Sequence, residues 1–221
     1  MERTHLEKEL DSLRLHVLEM ASLAEKALDL GLKAAAERDS DLAEQVIEGD
    51  VEINRLHCIV DEITLSILAR EQPVARDLRF VLGSANTAAN LERVGDQAVN
   101  IAERAVLLSQ RPVLPHNPLM EELAAKVREM LHMAIQAYNT NDTELALRVC
   151  EMDSGADTLN MKILKHYLDF MIQESRSVER AVHKIIKARC LERVGDLATN
   201  IAESVIFIVK GVDIRQTCRP Y

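Results

Sequence analysis

The sequence has few of the residues that interrupt helices or build aromatic cores. Its 221 residues include no tryptophan, three phenylalanines, three tyrosines, seven glycines and five prolines. Residues that favour helices, such as leucine, alanine and glutamate, are plentiful, whereas sheets favour aromatic and β-branched residues. We therefore predict an all-α protein, long enough for one large domain or two of about 100 residues each.

The cysteines and the apolar runs argue against a cysteine-bound zinc site, a signal peptide and a membrane-spanning helix. Cys58, Cys150, Cys190 and Cys218 form no CxxC pair, which argues against a cysteine-bound zinc and for reduced thiols. The first residues, MERTHLEKEL, lack the apolar core of a signal peptide. The apolar run from Val205 to Val209 is far shorter than the roughly 20 residues of a membrane-spanning helix. We expect a cytoplasmic protein that reaches a membrane only through partners.

Motifs of common enzymes and of nucleic-acid binding are also missing. The chain has no glycine-rich phosphate loop, no nucleophile elbow and no HExxH zinc motif. The Glu-x-x-His pattern of di-iron bundles is not found in the acidic segments LERVGDQAVNIAE and LERVGDLATNIAE. A net charge of −9 argues against the basic surface that nucleic acids require. We expect a protein that is not an enzyme and binds no nucleic acid.

Proline, glycine and capping residues divide the chain into six segments of helical character. Ser40 or Asp41 is predicted to cap the second helix and Asn141 or Asp142 the fifth, while Gly211 ends the sixth. Long helices joined by short turns are typical of an up-down bundle. The predicted helices run from about Leu6 to Arg38, Leu42 to Glu71, Val74 to Gln110, Leu119 to Tyr138, Leu145 to Gln173, and Val178 to Lys210.

The chain contains an internal duplication. LERVGDQAVNIAE, which begins at Leu91, recurs as LERVGDLATNIAE, which begins at Leu191, with differences only at positions 97/197 and 99/199. VIEGDVEINRL in the second segment is weakly repeated as VCEMDSGADTL in the fifth. We therefore predict two tandem three-helix bundles, in residues 1–111 and 119–211, with a proline-rich linker at 112–118 and a loose tail at 212–221.

The repeated segment has an apolar seam and an acidic stripe. On a helical wheel the seam is formed by Leu91, Val94, Ala98, Ile101, Ala105 and Leu108. Side chains four residues apart are neighbours, so paired carboxylates repel unless a cation lies between them. A surface metal site is one interpretation, and a solvated acidic face is the other. The stripe comprises Glu92, Asp96, Asn100 and Glu103 in the first copy, and Glu192, Asp196, Asn200 and Glu203 in the second.

The second and fifth helices carry similar oxygen-bearing faces. In the second helix one face carries Asp50, Asn54, His57 and Asp61. In the fifth helix the corresponding face carries Asp153, Asp157 and Asn160. Oxygen ligands from two neighbouring helices suit hard or borderline cations such as Mg, Mn, Fe or Zn. The helical glycines Gly95 and Gly195 each cost about 1 kcal/mol relative to alanine. We expect another group to approach the backbone closely at both.

ERVGD followed by NIAE, present twice, and QPVARDLRFVL before the first copy together resemble the PhoU family of phosphate-signalling regulators. The resemblance implies two three-helix bundles with multinuclear clusters of Fe, Zn, Mn, Mg or Ni, held by E/D-x-x-x-D motifs. Carried over by position, these motifs are Glu92–Asp96, Glu192–Asp196 and Asp153–Asp157. Asp50 with Asn54 departs from the pattern because an amide replaces the second carboxylate. Asn100, Glu103, Asn200 and Glu203 are additional candidate ligands.

The resemblance also implies a function. Such proteins are negative regulators of the phosphate-starvation response, and act as adaptors between the ATPase subunit of a phosphate ABC transporter and a sensor histidine kinase. A homodimer is expected, since long helical faces leave room for one. Two alternatives stay open from the residues alone. A metal-dependent enzyme or metal store would need ligands that point into a bundle core; an interaction module would bind no metal.

Overall fold

A computed structural model describes residues 5–212, and all the regular structure in that range is helical. The helices are α1 (His5–Glu37), α2 (Ser40–Arg70), α3 (Ala75–Ser109), α4 (Pro118–Thr140), α5 (Thr143–Gln173) and α6 (Val178–Lys210), with a 3₁₀ turn at Ser175–Ser177. This confirms the all-α prediction and its six long helices. The predicted loose tail lies outside the described residues from position 213 onward. None of the described helices carries the long apolar stretch that a membrane crossing requires.

Side-chain caps begin α2 and α5, and residues with a left-handed backbone end the helices before them and α6. The carboxylate of Asp39 accepts a hydrogen bond from the backbone N–H of Leu42 at 2.9 Å, so the prediction of Ser40 or Asp41 as the cap of α2 was wrong. Asp142 caps α5, as predicted. The residue before each of these caps has a left-handed backbone, with φ of 62° at Arg38 and 54° at Asn141. Gly211, at φ 71°, ends α6 as predicted.

Apolar seams hold the helices in two bundles of three. The predicted seam residues of α3 from Leu91 to Ala105 are buried, as are Leu191 and Val194 in α6, whereas Leu108 at the end of the seam is only partly buried. Helices α1, α2 and α3 pack against one another, and so do α4, α5 and α6. The bundles meet mainly where α3 packs along α6, with a smaller contact between α1 and α4. Helices α3 and α6 are therefore each covered from several sides.

Helices α3 and α6 run antiparallel and are related by an approximate two-fold axis. Gly83, early in α3, faces Ile208, late in α6. Midway, Asn200 donates a hydrogen bond to Asn90 at 3.3 Å. Leu108, late in α3, lines a cavity with His183, early in α6. Because the repeat relates positions 100 apart, each contact near one end has a counterpart at the other.

Candidate metal centre

Three carboxylates predicted as metal ligands converge between α5 and α6. One oxygen each from Asp157, Glu192 and Asp196 lies within 4.8 Å of the others. Glu192 and Asp196 are one turn apart on α6, and Asp157 projects from α5 beside them. Among residues 5–212, no other trio of His, Cys, Asp or Glu brings its ligand atoms so close. We call these three residues the α5–α6 carboxylate cluster.

Electrostatic repulsion within the α5–α6 carboxylate cluster suits a cation. Burial raises the pKa of Glu192, and the nearby Asp196 and Asp157 raise it further. Burial and then Asp196 raise the pKa of Asp157. Arg193 partly offsets the negative charge by donating to Asp196 at 2.9 Å. An all-oxygen donor set with excess negative charge matches the preference of hard cations, so the residues fit the implied metal.

Asp153 lies on α5, one turn before Asp157, and a side chain of α6 donates a hydrogen bond to it. Its Oδ1 accepts a hydrogen bond from the hydroxyl of Thr199 at 3.2 Å. When the two motif copies are aligned, Thr199 corresponds to Val99, one of the two positions at which they differ. Because valine cannot donate a hydrogen bond, this difference was the sequence feature from which the contact of Thr199 with Asp153 could have been predicted.

The corresponding face between α2 and α3 is built differently. Asn54, which stands where α5 has Asp157, donates its amide to Oδ2 of Asp50 at 2.8 Å. Oδ1 of Asp50 is buried and has no hydrogen-bond partner within residues 5–212. Burial raises the pKa of Asp50, an effect that Asn54 opposes and Asp96 reinforces. We call Asp50, Asn54, Glu92 and Asp96 the α2–α3 polar cluster.

The pKa of Glu92 in the α2–α3 polar cluster is also raised. Burial is the largest cause that raises its pKa, followed by the charge of Asp96, whereas His57 lowers it. His57 is therefore close enough to influence the cluster, in line with its predicted position on the same face as Asp50. The α2–α3 polar cluster has three carboxylates, whereas the four equivalent positions of the second repeat, Asp153 included, all carry one.

The two repeated glycines meet different surroundings. A Cβ on Gly95 would lie 2.8 Å from Oδ1 of Asp50 and 3.0 Å from Cδ1 of Ile53, so the predicted close approach is confirmed there. A Cβ on Gly195 would have Cε of Met130 as its nearest neighbour at 3.6 Å, an ordinary contact, so the prediction was wrong there. The second copy has more space because Ala156 occupies the position equivalent to Ile53.

The other four candidate ligands lie along the contact between α3 and α6. Asn100 donates to the backbone carbonyl of Asp96 at 2.9 Å and lines a groove with Glu192. Asn200 donates to Asn90, as described above. Glu103 is exposed and pairs with Arg104 at 2.8 Å.

Glu203 corrects the prediction that the whole stripe faces solvent. It is only 8% exposed and lines the groove between α6 and α3. The helical wheel identified one apolar seam, but α6 is covered by α3 as well as by α4 and α5. A side chain opposite the seam can therefore still be buried.

Comparison with known proteins covers both repeats. The family model described as "PhoU domain" matches residues 17–105 and 120–205. The phosphate-specific transport system accessory protein PhoU homolog of Pseudomonas putida is 38% identical over 94% of this chain and 81% of its own length. PhoU of Escherichia coli K12 is 36% identical over 94% of this chain and 86% of its own. The crystal structure of PhoU from Pseudomonas aeruginosa superposes with a TM-score of 0.91 at 35% identity, covering 94% of this chain and 100% of that one. With both bundles and both acidic motifs matched, the chain belongs to the PhoU family.

Proposed function

We propose that this protein is a cytoplasmic negative regulator of the phosphate-starvation response. It acts as an adaptor between the ATPase subunit of a phosphate ABC transporter and a sensor histidine kinase. The observation that carries the proposal is similarity to proteins named phosphate-specific transport system accessory protein over 94% of this chain, with both repeats included. Similarity over the full architecture supports a shared role more strongly than a shared fold does.

We further propose that the α5–α6 carboxylate cluster binds a metal ion or a multinuclear metal cluster. Asp157, Glu192 and Asp196 would hold it, with Asp153 one turn away, and the bound metal would neutralise their mutual repulsion. The α2–α3 polar cluster would hold metal more weakly through Asp50, Glu92 and Asp96. The all-oxygen donors favour Mg, Mn or Fe over a thiolate-bound ion, with Zn and Ni as further candidates.

The placement of the carboxylates favours an adaptor over an enzyme or a metal store. Asp157 is exposed, and Glu192 and Asp196 are only partly buried. Metal at such a place changes the charge of an outer face, where partner proteins dock, whereas enzymes and stores of this architecture direct their ligands into the bundle core. We also propose that the protein forms a homodimer through its long helical faces and binds no nucleic acid.

A deletion strain tests the regulatory role. In medium rich in phosphate, deletion of the gene should raise expression of a phosphate-starvation reporter, and a plasmid-borne copy should restore repression. Combined deletion of the sensor kinase should abolish the rise, because the adaptor acts through that kinase. Normal repression in the single deletion would refute the regulatory role.

Elemental analysis tests the metal site separately. Protein purified without chelator should contain metal, and most of it should be lost in the double variant Glu192→Gln, Asp196→Asn, which removes charge with little change of shape. A matched control, Glu151→Gln with Asp169→Asn, removes two exposed acids of α5 that lie outside the cluster. Equal metal content in both double variants would refute the ligand assignment.

A further inference from the structure

A basic cavity lies at one end of the contact between α3 and α6, away from both acidic clusters. Its volume is about 40 Å³, counted as the space open to the centre of a water molecule. One water needs roughly 10–15 Å³ on that scale, so about three waters would fit. The walls come from the end of α1, the end of α3, the segment after α3 and the start of α6. The basic side chains that line the cavity are Arg38, Arg104, Arg180, His183, Lys184 and Lys187.

Several polar groups of this cavity have no protein partner. Lys187 is only 8% exposed and makes no hydrogen bond or ion pair with the described residues. Nε of Arg104 and Nδ1 of His183 are buried, and neither has a hydrogen-bond partner within residues 5–212. Arg104 is ion-paired with Glu103 through Nη1, so only its Nε is left over. A buried charged group without a partner, such as Lys187, is costly and calls for a compensating ligand.

Two arginines of the cavity have a structural role instead. Arg38 donates to the carbonyls of Leu108 and Ser109 at 2.5 and 2.6 Å, and also to that of Arg111. It therefore satisfies carbonyls at the end of α3, which lack partners within the helix. Arg180 donates to the carbonyl of Pro112 at 3.1 Å. These bonds fix the cavity walls, whereas Lys184 and Lys187 make no hydrogen bond or ion pair with residues 5–212.

The opposite end of the α3–α6 contact shows what the same place holds in the other repeat. The helix caps Asp39 and Asp142 make Ala35 of α1 equivalent to Tyr138 of α4. The Tyr138 ring is 2% exposed, stacks on Phe80 with a centroid distance of 6.3 Å, and shares a hydrogen bond of 2.7 Å with Ser84. At the basic end, alanine stands in place of that tyrosine.

The polar residues at the two ends differ in charge as well as in size. The positions of Lys184 and Lys187 correspond to Ser84 and Thr87, which are neutral and hydrogen-bonded. Burial, followed by the neighbouring charge of Lys184, lowers the pKa of Lys187 to about 8. The basic end therefore combines space with clustered positive charge in a protein of net charge −9. At the other end the equivalent positions carry the uncharged Tyr138, Ser84 and Thr87, and the nearby Arg14 guanidinium lies over the rings of Phe80 and Tyr138. Packing at these positions therefore does not require buried lysines.

We propose that this cavity binds a small tetrahedral oxyanion, with inorganic phosphate as the ligand to test. Its lysines supply charge, and Nε of Arg104 supplies a hydrogen-bond donor directed by a rigid guanidinium group. The volume admits a single phosphate-sized ion and excludes a nucleotide. The site goes beyond the proposed adaptor role and does not depend on metal, because none of its residues belongs to the acidic clusters.

Isothermal titration calorimetry of the purified full-length chain tests the site. The titrant is sodium phosphate, in a chloride buffer near pH 7 at low ionic strength. We expect saturable binding of one phosphate per chain. Lys187→Met keeps the aliphatic stem and removes the charge, so affinity should fall about tenfold or more. Lys162→Met, the same change on the exposed face of α5, is the matched control and should leave affinity unchanged.

A second variant tests the cavity rather than its charge. Ala35→Phe places a ring where the other end has Tyr138, and should abolish phosphate binding while the helical content stays intact. Sulfate should compete with phosphate, because Lys184 and Lys187 act through positive charge and Nε of Arg104 through hydrogen-bond donation, and both ions accept these. ATP should not compete, because it is too large for the cavity.

Three outcomes would overturn the proposal. They are no binding by the wild-type chain up to about 10 mM phosphate, equal affinity in Lys187→Met and Lys162→Met, or unchanged binding by folded Ala35→Phe. These measurements use purified protein, so they can fail while the reporter strain still supports the regulatory role, and the reverse also holds.

Discussion

The two repeats carry nearly the same motif on their third helices but surround it with different partners. In the second repeat, Asp157 joins Glu192 and Asp196 in a cluster of three carboxylates. In the first, Asn54 stands in place of Asp157 and donates its amide to Asp50. The character of each acidic site therefore depends on the neighbouring helix, and an identical LERVGD segment does not make the sites equivalent.

The same lesson applies to the ends of the α3–α6 contact. One end is filled by Tyr138 against Phe80, while the other leaves a cavity beside Lys184 and Lys187. Duplication conserved the backbone arrangement, and substitutions at equivalent positions then changed what each end can bind. Paired substitutions at equivalent positions can test these differences.

The largest effect is expected at Lys187. The pKa is about 8 in the folded protein and 10.5 in an unfolded chain, so below pH 8 the folded state bears the full cost of a buried charge, at most roughly 3 kcal/mol. Between pH 8 and 10.5 the unfolded state binds more protons, so stability should rise with pH. Lys187→Met should therefore stabilise the protein by about 1–3 kcal/mol at pH 7, and by little above pH 10.

Urea denaturation in chloride buffer without oxyanions, at pH 7 and pH 10, measures this effect. Thr87→Val changes the equivalent position and should have a small effect that does not depend on pH. A Lys187→Met benefit that is as large at pH 10 as at pH 7 would contradict the electrostatic explanation, since the unfolded lysine is by then beginning to lose its proton. The groups that line the cavity or influence the charge of Lys187 are Lys184, His183 and Arg180 on α6, Arg38 after α1, Arg104 on α3 and Glu121 on α4.

A smaller effect, opposite in sign between the repeats, is expected at the glycines. Gly95→Ala would crowd Asp50 and Ile53, at a cost of about 1–3 kcal/mol that a helix-propensity gain of about 1 kcal/mol only partly offsets. Gly195→Ala meets only ordinary contacts and should gain up to about 1 kcal/mol. Thermal and urea unfolding of both variants measures the difference. Stabilisation by both substitutions would show that the approach of Asp50 to Gly95 is unimportant.

The smallest effect concerns the hydroxyl that only one repeat has. Thr199→Val removes the hydrogen bond to Asp153 and should destabilise the protein by about 1 kcal/mol. Val99→Thr places a donor near the buried Oδ1 of Asp50 and should stabilise it by about 0.5–1 kcal/mol. Urea midpoints of chelator-treated protein would measure both changes, since bound metal would obscure them. If Val99→Thr destabilises as much as Thr199→Val, the two positions are not equivalent.

Several features of the fold and site were predictable from local pattern. The seam through Leu91 and Val94 follows from helical periodicity, and the acidic pair Glu192 and Asp196 follows from i, i+4 spacing. The cap of α2 was misplaced by one or two residues because Asp39, Ser40 and Asp41 are all good capping residues. Burial of Glu203 was not predictable, because it depends on how α3 covers α6.

The order of residues was sufficient to establish six helices, their duplication and the faces on which carboxylates gather. These properties depend on residues within a few turns of one another, or on direct comparison of two stretches of chain. Tertiary packing was needed to show that Asp157 completes a cluster while Asn54 does not. It was also needed to bring Arg38, Arg104 and Lys187 to one cavity. Arg38 follows α1, Arg104 lies on α3 and Lys187 on α6. Their meeting depends on the antiparallel contact of α3 with α6, which no local periodicity encodes.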